Sequence, residues 1–440
     1  MTKNIRAVDA HTLIDRALEI DGGVAAKPSL LGGNGGDTEP QWIVRADGAY
    51  VWDVRGRRHL DFLLGFGSVI LGHADPSVTD AVVESIRRGV TPSLRVLGEL
   101  ELVDLLTRVV PNADAAMLMK TGSDATSAAV RLARAHSGRS VVLRSGYQGW
   151  HDWCAPRPAG IPVDCRSLTM VLPFGDADAL RSSFATRGEA VAAVVVMPAD
   201  GPGVGRDYLL ECRRLADYYG SAFVLDEVRT GFRLALGGAQ EYYGVNADLV
   251  LQGQMYGRAS LTCDDASPES RRPGISPRSS PVVLVALSKA MGNGHPVSAV
   301  AGRHEFMRKT ANVSMSSVFF RSADGIAAAL ATIRALLSTD ALDVVWRRGR
   351  ALRDGMVVAA ARTGVPVRPV GLPPLPGHVF DLDGDELRRA EDIFYKTVWA
   401  QGLLLPRNHH WFTCAAMTTD DVRHAIDIIA SGYQAVAAGL

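Results

Sequence analysis

The sequence has no excess of either charge, because lysine plus arginine and aspartate plus glutamate both number 47. A chain of zero net charge lacks the field that gathers nucleic acid or anionic lipid, so we expect neither as a partner. Its five cysteines are scattered and form no CxxC pair, so we expect reduced thiols and no metal site. No stretch approaches the roughly 18 apolar residues of a membrane span, and the first residues lack the apolar core of a signal peptide. We therefore expect a soluble cytoplasmic protein.

What the middle of the chain does contain is an alternation of short apolar runs with amphipathic helical patterns. This alternation extends from residue 75 to about residue 320 and is typical of βαβ units. It predicts an α/β large domain in which helices flank a mostly parallel central sheet. The apolar runs lie at Ala115–Met119, Val141–Arg144, Ala192–Met197, Ala222–Leu225, Leu249–Leu251 and Val282–Leu287.

The two ends of the chain predict a second, smaller domain. Residues 1–74 include a hairpin pattern, Trp42–Val44 followed by Tyr50–Val54, which predicts a small antiparallel sheet. Residues 321–440 carry long helical patterns and short strands near residues 377–382, so we expect an α+β domain that the N-terminal segment joins. Within the large domain, the polar stretch at about residues 253–282 predicts an inserted surface loop.

Lys289 follows directly on an apolar strand pattern and precedes a glycine-rich turn. An amine at the buried end of a strand has little conformational freedom, and desolvation lowers its pKa. Both properties suit the chemistry of a carbonyl cofactor. Taken alone, however, a lysine in this position is more often a surface residue that caps the strand.

Asp226 and Glu227 end another wholly apolar strand pattern. Ligands of parallel sheets bind at the carboxyl ends of the strands. A carboxylate at such an end can bond a pyridinium N–H and keep the ring an acceptor of electrons. A helix N-cap and a metal ligand are the alternative interpretations of this pair.

Two further strand ends carry patterns that suit ligand binding. The Thr121–Ser123 turn opens a helix, where backbone N–H groups and the helix dipole favour a phosphate, although a capped helix without a ligand fits equally well. Tyr147 follows the next strand, and its ring can stack on a planar cofactor. His151, between two tryptophans, is either an acid–base residue or a packed structural one.

In this order, the segments resemble the class III aminotransferases of fold type I, most closely the glutamate-1-semialdehyde aminomutase group. The similarity covers nearly the whole chain and includes Leu71–Pro76, Arg131–Arg134, Thr230–Arg233 and Gly238–Val245 besides the lysine segment. It implies the fold of the enzymes that depend on pyridoxal 5′-phosphate (PLP). It also implies a PLP-dependent aminotransferase that moves an amino group between an amine donor and a carbonyl compound in small-molecule metabolism.

The resemblance also assigns roles to single residues. It implies that Lys289 forms the internal aldimine with PLP and shuttles a proton, and that Asp226 pairs with the pyridine nitrogen. It further implies a homodimer whose active sites lie at the interface, with Ser317 reaching the phosphate held by the neighbouring subunit. The other implied cofactor contacts are Thr121, Gly122, Ser123, Tyr147, Gln148 and Val228.

Several positions depart from the family pattern. Gln148 stands where a histidine is usual, Met197 where a glutamate is usual, and Val318 where a threonine is expected. The stretch from residue 32 to residue 41 contains no arginine, whereas the aminomutase group grips its substrate carboxylate with one there. The departures bear on the substrate more than on the cofactor.

A candidate substrate-binding loop lies near the C-terminus. Arg407 could bind a carboxylate there, and His409 and His410 could bind hydroxyls of a sugar-like or cyclitol ring. A surface loop packed on the domain is the alternative.

Three functions follow from these patterns. Amino transfer is the leading interpretation. A PLP-dependent aminomutase, racemase or decarboxylase would use the same scaffold, with a different substrate bond held perpendicular to the cofactor ring. A non-catalytic binding homologue is the third, suggested by Met197, Val318 and the inserted loop. Retention of Lys289 and Asp226 favours catalysis.

Overall fold

The computed structural model of the chain describes residues 42–199, 203–245 and 283–440. The predicted strand Leu249–Leu251, the predicted loop at 253–282 and the arginine-free stretch at 32–41 lie outside these residues. The strands are β1 (Ile43–Asp47), β2 (Tyr50–Asp53), β3 (Arg58–Asp61), β4 (Ala115–Met119), β5 (Val141–Ser145), β6 (Thr169–Val171), β7 (Val191–Val196), β8 (Ala222–Asp226), β9 (Val283–Leu287), β10 (Ser298–Gly302), β11 (Val367–Val370), β12 (Gly377–Phe380) and β13 (Leu403–Leu404).

Eleven α-helices of five or more residues lie within the described ranges. They are α1 (Pro76–Arg88), α2 (Leu97–Val109), α3 (Gly122–Ser137), α4 (Val163–Ser167), α5 (Ala177–Arg187), α6 (Arg206–Tyr219), α7 (Gly238–Tyr243), α8 (Ala323–Ser338), α9 (Ala341–Thr363), α10 (Gly384–Ala400) and α11 (Thr419–Gly439). Shorter helical turns lie at Leu64–Gly67, Gly188–Ala190, Lys289–Gly292, His304–Met307 and Arg308–Asn312.

A seven-stranded sheet with the order β4-β10-β9-β8-β7-β5-β6 forms the centre of the large domain. Strands β5 to β9 run parallel, whereas β10 is antiparallel to both of its neighbours. The central strands are covered on both faces, and β7 accordingly consists of alanine and valine alone, all fully buried. The prediction of an α/β fold with a mostly parallel sheet is confirmed.

The N-terminal hairpin becomes part of a four-stranded sheet with the order β1-β2-β3-β13. Its last strand comes from the C-terminal part of the chain, because Leu403 pairs in parallel with Leu60 of β3. Buried side chains from both ends of the chain, such as Phe62 and Phe394, share one apolar core. This packing is consistent with an N-terminal segment that belongs to the small domain, although the domain boundaries stay predictions.

Helix α8 packs differently from the rest of the C-terminal region. Its buried Ile326 and Ile333 belong to the same core as Val78 of α1 and Leu102 of α2. By packing, α8 therefore belongs with the large sheet, although it follows the predicted boundary near residue 320.

No single helix in the described ranges is long and apolar enough to cross a membrane. The pair α8 and α9 passes on length and composition together, but the two helices are bent by 75° at the break between them.

Candidate active site

The two strand ends that the sequence marks as chemically important lie side by side. Strands β8 and β9 are parallel neighbours, and Asp226 at the end of β8 is in register with Ala286 of β9. Lys289 follows three residues later, with a left-handed backbone at φ 50°. A non-glycine residue adopts this conformation where its surroundings impose it, and such residues cluster at functional sites.

Burial controls the protonation of both side chains. Asp226 is 1% exposed, and desolvation raises its pKa to about 7, against a hydrogen bond from Val228 N at 3.1 Å and the charge of Lys289. Desolvation also lowers the pKa of Lys289 to about 7, and the positive charge of Arg229 acts in the same direction. A large fraction of Lys289 is therefore a neutral amine at pH 7, which is the form that attacks a carbonyl.

A close-packed cradle forms where three strand ends meet. A Cβ atom on Gly149 would lie 2.3 Å from Ser123 Oγ, and one on Gly122 would lie 2.8 Å from Val228 Cγ1. Glycine alone permits these approaches. Helix α3 begins at Gly122, so its first backbone N–H groups and its positive dipole end lie in the cradle.

Thr121 caps the start of helix α3. Its backbone N–H donates to Asp124 Oδ2 at 2.8 Å, and its hydroxyl oxygen accepts from the Asp124 backbone N–H at 3.2 Å, so the two residues form the capping box of α3. The capped-helix interpretation is correct for this side chain. A contact between Thr121 and the cofactor stays a prediction.

Tyr147 lies in the loop after β5, with about half of its surface exposed. Burial raises the pKa of its phenol, and the neighbouring Cys154 and Asp226 raise it further. The influence of Asp226 on this pKa is consistent with a Tyr147 ring that stacks on the same cofactor, which stays a prediction.

The side chain of Gln148 is fixed by hydrogen bonds to neighbouring residues. It is 1% exposed, its Nε2 donates to the Ser145 carbonyl at 2.8 Å, and its Oε1 accepts from Arg144 at 3.1 Å. Its backbone carbonyl accepts from Thr126 Oγ1 at 2.7 Å. These bonds fix the loop that carries Tyr147, and a direct contact between Gln148 and the cofactor stays a prediction.

The structure favours the structural interpretation of His151. Its Nδ1 lies 2.7 Å from Ser127 Oγ, which also accepts a hydrogen bond from Trp153 Nε1 at 2.8 Å. This network ties the loop after β5 to helix α3. An acid–base role for His151 therefore gains no support from the geometry.

The C-terminal candidates separate into two groups. Arg407 binds Glu391 and Asp392 of α10, with the closest N–O distances at 2.8 and 2.5 Å, so its guanidinium anchors the loop to that helix. His409 and His410 instead line a cavity of about 470 Å³. Carboxylate binding by Arg407 and hydroxyl binding by the histidines both stay predictions, but only the histidines have a cavity before them.

Two further residues assemble the site: Glu227, for which the sequence left a helix N-cap open, and Asn293, to which it assigned no role. Glu227 is fully buried and accepts hydrogen bonds from the backbone of Ala239 and Gln240 at the start of α7, at 2.8 and 2.9 Å. Its carboxylate thus binds the start of α7, and no group of His, Cys, Asp and Glu side chains among the described residues could hold a metal ion. Asn293, in the turn after Lys289, accepts from the N–H groups of Ile70 and Leu71, both at 2.9 Å. Its place in a glycine-rich turn was the available signal.

Comparisons with known proteins give the family. Residues 33–152 match the family described as Aminotransferase class-III. A 3-aminobutyryl-CoA aminotransferase from Cloacimonas acidaminovorans is 31% identical over 399 residues, which cover 89% of this chain and 88% of that protein. The chain belongs to the class-III aminotransferase family. A glutamate-1-semialdehyde 2,1-aminomutase from Laribacter hongkongensis is 30% identical over 378 residues, covering 80% of each chain.

Solved structures of the same fold support this membership. The FumI protein of Sphingopyxis sp. MTA144, in its PLP internal aldimine form, has a TM-score of 0.83 at 27% identity and covers 97% of this chain and 96% of its own. An omega-transaminase from Sphaerobacter thermophilus has a TM-score of 0.80 at 23% identity, with 97% of each chain covered. This class-III aminotransferase is accordingly a PLP-dependent enzyme, so the interpretation as a non-catalytic homologue gains no support.

Proposed function

We propose that this enzyme transfers an amino group between an amine donor and a carbonyl acceptor, with Lys289 and Asp226 as its catalytic residues. The observation that carries the proposal is the pairing of a buried acid and a desolvated amine at the ends of adjacent parallel strands. The register of β8 and β9, together with the influence of each charge on the pKa of the other residue, supports the proposal that both side chains face one small aromatic ring. When bound there, PLP accepts electrons from the bond that breaks next to the substrate nitrogen.

The residues of the site fit the parts of PLP. Asp226 is buried without full compensation of its charge, and the N–H of a protonated pyridine ring would supply the missing partner. Val228 and Tyr147 supply an apolar and an aromatic side chain for the ring. The cradle of Gly122, Ser123 and Gly149 offers backbone N–H groups at a helix start, where a phosphate is favoured.

Lys289 has two tasks in this proposal. Its neutral amine holds the cofactor covalently before the substrate arrives, which requires a pKa well below that of a free lysine. Once released, the same amine would take a proton from the substrate α-carbon and deliver it to C4′ of the cofactor. A pKa near 7 suits it for both directions at neutral pH.

A homodimer belongs to the proposal. The exposed Leu94 and Val318 line a cavity of about 340 Å³ together with the predicted interface residue Ser317, and the exposed Leu97 and Leu100 line an adjoining cavity of about 680 Å³. Exposed apolar surface of this kind is typical of protein contacts. We refer to it as the apolar face, formed by Leu94, Leu97, Leu100, Val318 and Phe319, which are 86%, 89%, 72%, 73% and 56% exposed.

An aminomutase is the second candidate, because relatives with that name cover much of this chain. The two functions differ in the need for a second substrate. A transaminase loses the visible band of bound PLP when an amine donor is added alone, and regains it with a carbonyl acceptor. A mutase converts one substrate completely without an acceptor, and a racemase inverts it without moving the nitrogen.

The test is to load the purified protein with PLP, record its visible spectrum, and titrate it with amines. Donor-dependent bleaching that a carbonyl compound reverses is the expected result. A band that no amine changes would contradict amino transfer. A Lys289→Ala variant that stays folded but keeps wild-type turnover would contradict the assigned mechanism.

A further inference from the structure

The short turn Leu64–Gly67 has a strained backbone. Its four residues all have positive φ, at 46°, 59°, 56° and 81° in chain order. Glycine adopts this left-handed conformation readily, whereas Leu64 and Phe66 adopt it only where their surroundings impose it. Asp61 fixes the beginning of the turn, because its Oδ1 accepts hydrogen bonds from the N–H groups of Leu63 and Leu64, at 2.8 and 2.9 Å.

Arg233 fixes the end of the turn. Its side chain is fully buried, and its Nη2 donates to the carbonyls of Gly67 and Val69, at 2.9 and 3.3 Å. Its Nη1 donates to the Thr413 carbonyl at 2.9 Å, and its guanidinium carbon lies 5.1 Å from the centre of the Phe412 ring. Within the described ranges the partners of this guanidinium are thus three backbone carbonyls and one ring, with no carboxylate among them. One buried side chain joins the turn to the C-terminal part of the chain.

The stretch of chain that Arg233 holds lies against the backbone that carries the reacting amine. The turn Leu64–Gly67 contacts the turn Lys289–Gly292. Just beyond both turns, Asn293 Oδ1 accepts from the N–H groups of Ile70 and Leu71, each at 2.9 Å. The Lys289–Gly292 turn is strained as well, since it begins at φ 50° and Asn293 follows it at φ 46°. Two strained pieces of backbone therefore support each other, and a shift of one would displace the other.

The charge of Arg233 acts in the same place as its hydrogen bonds. Burial lowers the pKa of its guanidinium to about 10, still well above neutrality, so the group stays charged. Desolvation is the main cause that lowers the pKa of Lys289, and the charges of Arg229 and Arg233 add to it, against that of Asp226. Arg233 is thus near enough to Lys289 to favour the neutral amine.

We infer that Arg233 is a positioning residue for the reacting amine: it holds the turn Leu64–Gly67 in place, and this turn fixes the backbone from which the Lys289 side chain projects. The inference rests on the proposed function, which makes Lys289 the residue that binds PLP. It gives Arg233 a role that is exerted through backbone carbonyls and needs no contact with the cofactor or the substrate.

Arg233→Lys tests the inference, because lysine lacks the planar fork that donates to carbonyls on two sides. With the turn released, PLP should bind to this variant roughly 10-fold more weakly, and its visible band should form more slowly. The matched control is Arg139→Lys. Arg139 also donates to three backbone carbonyls, those of Gly188, Val191 and Tyr219, but near the amino ends of β7 and β8, at the opposite edge of the sheet. Both variants should lose stability in urea unfolding, and Arg139→Lys should bind PLP as wild type does.

A second variant loosens the turn without changing Arg233. Gly65 is exposed and has φ 59°, and a Cβ atom on it would meet the flexible Ser68 Oγ at 2.5 Å. The strain that Gly65→Ala adds should weaken PLP binding about 2- to 5-fold. Its control is Gly56→Ala, which is also exposed and at positive φ but has no atom within 4 Å of the added Cβ, and which should bind PLP normally.

PLP affinity is read from a fluorescence titration of the cofactor-free protein, so the test does not depend on turnover. Folded Arg233→Lys with the PLP affinity of Arg139→Lys would show a purely structural arginine and overturn the inference. If Arg233→Lys does not fold, equal affinities of Gly65→Ala and Gly56→Ala would overturn it. A wild type that forms no visible band with PLP would overturn the proposed function instead.

Discussion

Replacing Asp226 with asparagine tests whether the buried carboxylate destabilises the cofactor-free protein and strengthens the binding of PLP. The pKa of Asp226 is raised from 3.8 to about 7 by burial. A carboxyl whose pKa is raised on folding stabilises the fold fully below its unfolded pKa, and this contribution is lost as the pH rises through the folded value. Above pH 8 the loss corresponds to roughly 4 kcal/mol, from about 1.4 kcal/mol per pKa unit.

In the cofactor-free protein, Asp226→Asn should therefore raise the free energy of unfolding at pH 8.5. We expect a gain of about 2 to 4 kcal/mol, since relaxation around a buried charge reduces the full penalty. The gain should shrink as the pH falls below about 7 and disappear below about pH 4, where the carboxyl of Asp226 is neutral in the unfolded chain too. Lys289 is largely neutral at pH 8.5, so the substitution strands no positive charge.

With PLP bound, Asp226→Asn should be unfavourable, whereas it stabilises the cofactor-free protein. The pyridinium N–H needs the carboxylate, and replacing a charged acceptor with an amide should weaken PLP binding roughly 10- to 100-fold. Urea unfolding at several pH values, with and without PLP, measures both effects, and Asp381→Asn, an exposed and ion-paired residue, is the control. An Asp226→Asn protein that is no more stable at pH 8.5, or binds PLP as tightly as wild type, would refute the reasoning.

Three further predictions concern the cofactor and the interface. Gly149→Ala should weaken PLP binding about 10-fold in a fluorescence titration, because the added Cβ would lie 2.3 Å from Ser123 Oγ. The control is Gly160→Ala, which is also at positive φ but in open space and should bind PLP as wild type does. Leu97→Asp should shift the protein from dimer to monomer in sedimentation, and a monomeric wild type would contradict the apolar face as an interface. Arg229→Met should raise the pKa of Lys289 and move the pH dependence of PLP uptake to higher pH; an unchanged profile would show that the two charges are not coupled.

The strand ends were readable from the sequence because an unbroken apolar run stops at a charged residue. Asp226 and Lys289 both stand out in this way, and covered parallel strands require such runs. Strand β10 was missed, because Ser298–Gly302 is short, is built of small residues and runs antiparallel between parallel-sheet neighbours. The pairing of β13 with β3 joins residues 343 positions apart, Leu403 and Leu60, and no local pattern reveals it.

The roles of polar side chains were harder to predict than their positions. The sequence suggests Arg407 as a ligand-binding group, but its partners Glu391 and Asp392 lie 16 and 15 residues earlier, on a helix that only folding brings next to it. Arg229 was passed over, since a single arginine after a strand carries no periodic signal. Only the fold shows that it is buried and lines the same cavity as His409 and His410.

Reduction with sodium borohydride tests most directly whether Lys289 holds the cofactor. The chain contains six lysines, so digestion and mass spectrometry can assign a phosphopyridoxyl group to one of them: Lys3, Lys27, Lys120, Lys289, Lys309 or Lys396. The account predicts modification at Lys289 in the PLP-loaded wild type and none in Lys289→Ala. Modification at another lysine, or a loaded protein that borohydride leaves unlabelled, would contradict it.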